Sequence, residues 1–289
     1  ESGVLHHRLS GKSAGYGDMA SLAAQIPVPE DIKLKEIADF KIIGTSQKNV
    51  DGLDIVTGKP LFGVDVQQED MLIAMIVHPP AFGLQLKSMD GSAAKRMPGI
   101  KDVFTVKVLH DDYVRQHFDT CTFLEIVAIV GDSTWEVMNA KKAVEVEWEP
   151  FETYTEERVP YGGSQTILTI PSGLENSTDH GELMEKMAAQ KSTQVRKDGD
   201  PESAFQNADK VIERTSTAPF LAHNCMEPMN FFAHVTNDRA TLKGPLQKPE
   251  LTEQAVSKRL GIPVENIDIQ MTRLGGGYGR RSYAHWLIE

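Results

Sequence analysis

Short apolar runs alternate along the chain with polar segments that carry turn and capping residues. The clearest run, residues 71–78, is apolar almost throughout and ends at Pro79-Pro80, which predicts a buried strand of central type. The same pattern predicts further strands at residues 61–66, 100–108, 126–130 and 144–148, and a short helix at residues 92–96. Strands that alternate with short helices in this way predict one α+β domain.

A helix start is marked by Ser133 and Glu136. Serine followed three residues later by glutamate is the capping-box spacing, in which the serine side chain accepts from the backbone N–H of the third helical residue. The helix that starts here is predicted to run through Ala140 and Lys142.

A second unit follows from Gly199. Its pattern predicts helices at residues 201–207 and 249–260 and strands at residues 210–217, 230–236 and 266–272. Gly261 is expected to end the second helix, because glycine readily adopts the left-handed conformation found just after helix ends. The last strand leads directly into a glycine-rich segment, an arrangement typical of a ligand-facing loop.

The remaining segments have weaker patterns. Near the start, a helix is expected after Asp18 and is stopped by Pro27-Val28-Pro29, so residues 1–43 are interpreted as a strap across a larger body. Residues 151–198 lose the alternation and are interpreted as a connection that holds a methionine-rich helix at 182–189. The predicted organisation is therefore a strap at 1–43, a domain at 44–150, a connection at 151–198 and a second domain at 199–289.

The glycine-rich segment, residues 274–281, reads Leu-Gly-Gly-Gly-Tyr-Gly-Arg-Arg. Glycines at this density indicate a sharp turn or a close approach of the backbone to something else, and the two arginines favour an anion or an oxygen-rich ligand. A surface turn at the end of a strand explains the glycines equally well. The dinucleotide fingerprint and the phosphate-loop motif are both absent, which disfavours a nucleotide-binding domain.

Two further segments carry candidate chemistry. Gln247 lies in a loop just before a helix, where it is either a ligand-facing amide or an ordinary surface glutamine. Residues 223–230, His-Asn-Cys-Met-Glu-Pro-Met-Asn, are dense in polar and sulfur groups. The alternative for this segment is a turn in which methionines pack inward and Glu227 pairs with a cation.

Composition narrows the possible functions. The net charge of −11 disfavours nucleic acid as a partner, because phosphate binding requires a basic surface. No apolar run approaches the roughly 20 residues of a membrane span. The two cysteines, Cys121 and Cys225, form no Cys-x-x-Cys pair, which excludes an iron–sulfur cluster or zinc site built from this chain alone. The two are expected to be buried free thiols, with one disulfide between them as the alternative.

Several motifs resemble the xanthine oxidase family of molybdenum hydroxylases. Residues 58–65, 98–100 and 127–135 are similar to the α/β-hammerhead domain of that family. Met226-Glu227-Pro228, Gln247 and residues 275–281 occur in the order found in its molybdopterin-binding domain. The resemblance therefore implies an α+β fold, an α/β-hammerhead domain followed by a partial molybdopterin-binding domain. The branch that the chain most resembles is the large (beta) subunit of isoquinoline 1-oxidoreductase and aldehyde oxidoreductase-type enzymes.

The resemblance also implies roles for individual residues. It implies six residues at the molybdenum cofactor, Gln247, Gly276, Gly277, Tyr278, Gly279 and Arg280, and two along the substrate channel, Tyr278 and Glu227. The amide of Gln247 would donate to an oxygen ligand of molybdenum, and the backbone of Gly277 and Gly279 would lie against the cofactor. The family commonly has phenylalanine where this chain has Tyr278, so the substrate preference is not carried over.

The implied activity is a hydroxylation of aldehydes or N-heteroaromatic compounds with water as the oxygen source. The family's catalytic base is expected beyond Glu289, so no catalytic residue is assigned here and the chain alone is expected to be inactive. Electrons would leave through [2Fe-2S] clusters on a separate iron–sulfur small subunit, and the branch favours a periplasmic over a cytoplasmic location. The alternative is a non-catalytic scaffold with the same fold and no bound cofactor.

Overall fold

The structure is a computed structural model that describes residues 2–109, 113–117, 119, 123–173 and 176–283. The chain divides into two compact units, Glu1–Lys59 and Pro60–Glu289. The predicted boundaries of the strap, the two domains and the connection are not tested by this division and stay predictions. The candidate site lies in the second unit.

The first unit has little regular structure. Strands β1 (Val4–His6) and β2 (Ser13–Gly15) pair antiparallel, and two helices follow, α1 (Tyr16–Ala23) and α2 (Gly52–Val56). Helix α1 begins at Tyr16, before the expected position after Asp18. Asp18 is its third residue, and its carboxylate accepts from the backbone N–H of Gly15 at 3.2 Å, which favours a start at this point. The described side chains of this unit are exposed or half-buried, so none of them forms a closed core.

The second unit begins with alternating strands and helices. The elements are β3 (Ile73–Val77), β4 (Leu84–Asp90), α3 (Ser92–Lys95), β5 (Ile100–Lys107), β6 (Arg115–Gln116), β7 (Glu125–Gly131), α4 (Thr134–Lys141) and β8 (Glu145–Pro150). Strand β7 lies between β3 and β5 in an antiparallel sheet, while β4 and β8 form a separate antiparallel pair. Val127, Ile129 and Val137 are fully buried in its core, so α4 packs its apolar face onto this sheet.

Several expectations for this region are confirmed, and others are wrong. Helix α4 starts after Ser133, whose hydroxyl oxygen accepts from the backbone N–H of Glu136 at 3.3 Å. Strand β3 lies at the edge of the described sheet, where a central position was expected, and β7 occupies the centre. Residues 61–66 contain a 3₁₀ turn, Gly63–Asp65, instead of a strand, because the carboxylate of Asp65 accepts from two backbone N–H groups just before it.

The segment expected to be a connection contains a β-hairpin. Strands β9 (Tyr154–Val159) and β10 (Thr166–Ile170) pair antiparallel, β6 joins β9 in parallel, and helix α5 (Ser177–Ala188) follows. The predicted methionine-rich helix is therefore present and begins earlier than expected. The side chain of Arg115 in β6 pairs with Glu156 in β9 at 2.9 Å, and both are largely buried. This ion pair therefore adds a side-chain contact to the pairing of β6 with the hairpin.

The rest of the unit forms another three-stranded sheet. Its elements are α6 (Pro201–Gln206), β11 (Phe232–Val235), β12 (Ala240–Gly244), α7 (Pro249–Leu260) and β13 (Ile267–Met271). Strand β12 pairs antiparallel with β11 and parallel with β13, and α7 connects β12 to β13. Helix α7 has its predicted bounds and ends at Gly261, whose φ is +68°. Residues 210–217 were expected to form a strand and form no regular element.

Candidate functional site

The parallel strands β12 and β13 deliver the candidate residues to one edge of the sheet that they form with β11. Two parallel neighbours end at the same edge, so the segment after Gly244 and the segment after Met271 emerge side by side. The backbone N–H of Thr272 donates to the carbonyl oxygen of Gly244 at 3.0 Å and continues the pairing. Gln247 and the glycine-rich loop therefore meet, although the sequence separates them.

Gln247 contacts the loop at two points. Its backbone N–H donates to the carbonyl oxygen of Arg281 at 3.0 Å, and its Oε1 accepts from the backbone N–H of Arg281 at 3.3 Å. The loop also passes against this side chain, since a Cβ built on Gly277 would lie 2.8 Å from Gln247 Oε1. A side chain at 277 would therefore require the end of the Gln247 side chain to move.

The first part of the loop packs on residues 225–227. A Cβ on Gly275 would lie 2.4 Å from the Cβ of Glu227, and one on Gly276 would lie 3.1 Å from the Cβ of Cys225. Part of the glycine run is thus explained by packing within the protein. Cys225 is a free thiol and is half-buried, where a buried one was expected, while Cys121 lies outside the described residues.

Glu227 lies beneath the loop and is 6% exposed. Its Oε2 accepts from the backbone N–H of Gly275 at 2.8 Å, and its Oε1 accepts from the backbone N–H of Gly63 and the side chain of Asn230, both at 2.9 Å. A carboxylate that accepts several hydrogen bonds and pairs with a cation is satisfied in a buried position. The cation is Arg281, at 3.4 Å from Oε2, as the alternative interpretation of this segment anticipated. Met226, in contrast, is 95% exposed and does not pack inward.

Arg281 was expected, with Arg280, to favour an anion or an oxygen-rich ligand, and the anion that it meets is the Glu227 carboxylate of the chain itself. The side chain of Arg281 is fully buried, its Nε donates to the carbonyl oxygen of Gly276 and one terminal nitrogen donates to the carbonyl oxygen of Glu227, both at 2.8 Å. The guanidinium thus closes the loop between residues 276 and 281. Only the position of Arg281 after the glycine run pointed to it, because its partner Glu227 lies 54 residues earlier.

The exposed part of the loop presents a row of backbone donors. The backbone N–H groups of Gly276, Gly277, Tyr278 and Gly279 make no hydrogen bond within the part of the chain that the structure describes. The φ angles of Gly276, Tyr278 and Gly279 are +109°, +52° and +88°, so the backbone repeatedly enters the left-handed region. Successive N–H groups in such conformations form concave sites for anions.

Two side chains of the loop face outward. Tyr278 is 73% exposed, with its ring centroid 6.4 Å from that of His223. Arg280 is exposed and lines a cavity of about 150 Å³ together with residues 223–225 and 227–229. The structure thus brings all the predicted cofactor residues into one loop cluster and places Glu227 below it.

Another cavity, of about 300 Å³, lies between the loop after β5 and helix α7 and contains none of the predicted site residues. Its wall includes Tyr113, whose hydroxyl donates to the buried carboxylate of Asp119 at 2.8 Å. Burial, the Asp119 charge and this hydrogen bond raise the pKa of Tyr113 well above its usual range. Within the described ranges no group of three or more His, Cys, Asp or Glu side chains could hold a metal ion, and no helix there is long and apolar enough to cross a membrane.

Comparison with known proteins identifies relatives across the chain. Residues 183–289 match the molybdopterin cofactor-binding domain. The chain is 25% identical over 291 residues to the membrane-bound aldehyde dehydrogenase (pyrroloquinoline-quinone) of Gluconacetobacter polyoxogenes. The aligned region covers 96% of this chain and 33% of the relative. It is 24% identical over 331 residues to the isoquinoline 1-oxidoreductase subunit beta of Brevundimonas diminuta, and this alignment covers 100% of this chain and 38% of the relative.

A solved structure shares the fold. Quinoline 2-oxidoreductase from Pseudomonas putida 86 superimposes with a TM-score of 0.53 at 17% identity, over 85% of this chain and 32% of that one. The chain therefore spans about a third of the length of each of these proteins. The matches agree with the resemblance to molybdenum hydroxylases seen in the sequence, and they identify residues 183–289 as similar to a molybdopterin cofactor-binding domain.

Proposed function

We propose that the loop cluster of Gln247 and residues 276–280 binds the molybdenum cofactor in the intact protein. The observation that carries this proposal is the row of four backbone N–H groups without an intramolecular acceptor in the described chain, beside the exposed amide of Gln247. Molybdopterin is anionic and rich in oxygen and sulfur acceptors, so backbone donors and an amide fit it. Arg280 adds a positive charge on the exposed side.

The residues of this chain have distinct tasks in the proposed site. The backbone from Gly276 to Gly279 binds and orients the cofactor, and the amide of Gln247 donates a hydrogen bond to it. The ring of Tyr278 forms a wall against which a flat substrate can stack. Glu227 was expected to line the substrate channel; its buried carboxylate instead supports a role in holding the loop.

We infer that the intact protein is a hydroxylase for aldehydes or N-heteroaromatic compounds. The overall reaction inserts an oxygen atom from water into a C–H bond and releases two protons and two electrons. The bound molybdenum cofactor supplies the redox centre that accepts these electrons. The likeness to an isoquinoline 1-oxidoreductase subunit beta supports a separate iron–sulfur small subunit as the carrier of these electrons. A periplasmic location and the inactivity of the chain alone remain predictions.

The test is the metal content of the full-length protein, purified from its native host with any accompanying subunit and measured by plasma mass spectrometry. We expect about one molybdenum per large subunit and iron in a co-purifying partner. Gly277→Ala, which places a methyl group against the amide of Gln247, should lower the molybdenum content, while Gly17→Ala should not, because a Cβ at Gly17 meets nothing within 4 Å. Native protein without molybdenum would overturn the proposal and favour a scaffold. A quinone spectrum in such protein would instead favour the cofactor named for the Gluconacetobacter relative.

A further inference from the structure

Two hydrogen bonds between Gln247 and Arg281 determine which end of the Gln247 side-chain amide is available to a ligand. A backbone N–H can only be met by an acceptor, so the atom of Gln247 that faces the N–H of Arg281 at 3.3 Å must be the carbonyl oxygen Oε1. The backbone N–H of Gln247 is bound to the same residue, at 3.0 Å from the carbonyl oxygen of Arg281. The Nε2 group has no acceptor in the part of the chain that the structure describes, and the residue is exposed. The amide is thus held with its acceptor inward and its donor available.

The backbone at residue 281 is itself held in place by a buried side chain. The guanidinium of Arg281 donates to the carbonyl oxygens of Gly276 and Glu227, each at 2.8 Å, from a fully buried position. Glu227 completes the arrangement, because its carboxylate also accepts from the N–H of Gly275 at 2.8 Å. These contacts connect both ends of the loop to one buried ion pair.

We propose that Arg281 and Glu227 are positioning residues that keep the amide donor of Gln247 directed at the cofactor. This inference rests on the proposed function, since it concerns the residue that donates to the bound cofactor. Both positioning residues are buried, and they act by fixing the backbone of residue 281, which in turn fixes the amide. A lysine at 281 keeps the charge and loses the planar fork that serves two carbonyl oxygens at once.

The first measurement is amide hydrogen exchange at residue 281 in the full-length protein, and it does not depend on bound metal. Gln247→Ala removes the acceptor and should speed exchange at this N–H by roughly two- to tenfold, the factor that corresponds to one net hydrogen bond. Arg281→Lys should speed it as well, because the loop loses its anchor. Gln247→Glu retains an acceptor oxygen and should keep the slow rate.

The second measurement is the electron paramagnetic resonance spectrum of the molybdenum centre. Gln247→Glu and Gln247→Ala both remove the amide donor and should both shift the spectrum, while Arg281→Lys should shift it without altering Gln247 itself. The matched control is Arg115→Lys, which weakens another buried ion pair, that with Glu156, and should leave the spectrum unchanged. The Gln247 variants change an exposed residue, so they remain informative if Arg281→Lys fails to fold.

Two results would overturn the positioning role. One is an unchanged exchange rate at residue 281 in Gln247→Ala, which would mean that the amide is not held there. The other is a spectrum of Arg281→Lys that is identical to that of the wild type, while the Gln247 variants shift it. Absence of molybdenum from the wild-type protein would instead refute the proposed function, and the exchange rates would still decide whether the amide is held.

Discussion

The backbone N–H of Gly63 donates to the buried carboxylate oxygen Oε1 of Glu227 at 2.9 Å, across 164 residues of sequence. Through this bond the 3₁₀ turn that precedes the first sheet is attached directly to the segment beneath the glycine-rich loop. The same carboxylate also accepts from Gly275 and pairs with Arg281. Residues from three distant parts of the chain thus meet at one acidic side chain.

Replacement of Gly63 by alanine should destabilise the protein. A Cβ at this position would lie 2.3 Å from Asn230 Oδ1 and 2.5 Å from Cδ of Pro245, and the proline ring cannot rotate away. We expect Gly63→Ala to lower the free energy of unfolding by about 1–3 kcal/mol, as overpacking does. Gly181→Ala, in helix α5 with nothing within 4 Å of its Cβ, should raise that free energy by roughly 0.5–1 kcal/mol. Urea unfolding curves in which both variants are equally stable would contradict the packing at Gly63.

The ion pair between Asp119 and Arg259 should contribute to stability because both side chains are buried. They lie 3.3 Å apart, with 0% and 7% of their side chains exposed. Asp119→Asn removes a negative charge that faces the buried guanidinium, and we expect a loss of about 3–5 kcal/mol in the free energy of unfolding. Asp132→Asn breaks a half-exposed pair with Lys101 and should cost less than about 1 kcal/mol. Similar losses for the two variants, measured by chemical denaturation, would show that burial does not decide the strength of these pairs.

Tyr113 should make the protein less stable at alkaline pH. Burial and the charge of Asp119 raise the pKa of this phenol in the folded state, whereas the unfolded chain has the ordinary value of 10.0. The stabilisation is therefore fully present below pH 10 and is lost as the pH rises above it, because only the unfolded chain then releases the proton.

The measurement is the urea midpoint of unfolding, recorded below and above the ordinary pKa of the phenol. In Tyr113→Phe the midpoint should fall less with rising pH than it does in the wild type. Tyr161→Phe, at a side chain that is 87% exposed, should retain the wild-type slope. Equal slopes in the wild type and Tyr113→Phe would contradict a raised pKa at this position.

Removal of the cap of helix α4 should have a moderate effect. Ser133→Ala deletes the acceptor for the backbone N–H of Glu136 and the donor to its carboxylate at 2.8 Å, and should cost about 1 kcal/mol in the free energy of unfolding. Thr134→Ala, one residue further on at an exposed position, should be nearly neutral. Thermal unfolding of the two variants separates capping from the general cost of removing a hydroxyl group.

Local signals in the sequence predicted several elements of the fold. The capping box at Ser133 started α4, and the proline and glycine at the two ends of α7 bounded it, because both signals act through hydrogen bonds and dihedral angles within a few residues. Continuous apolar runs identified β3 and β7, and the mixed pattern of residues 100–108 identified β5. The motif order also indicated a resemblance to molybdenum hydroxylases, and the comparisons found relatives of that kind.

Other elements depend on partners that are distant in the sequence. Strands β4, β9 and β12 carry polar residues at alternate or terminal positions and were not predicted, because each acquires its backbone partners only when the sheet assembles. Residues 210–217, in contrast, were predicted to form a strand from their pattern, but no strand of the described chain pairs with them.

The candidate site divides in the same way. The sequence by itself determined that Gln247 and the glycine run are the residues to examine, because their chemical types and their order are local properties. Only the tertiary structure decided that Arg281 holds the amide of Gln247 and that Glu227 is buried beneath the loop. The physical reason is that a buried ion pair and the orientation of an amide depend on groups that the parallel strands β12 and β13 bring together from separate parts of the chain.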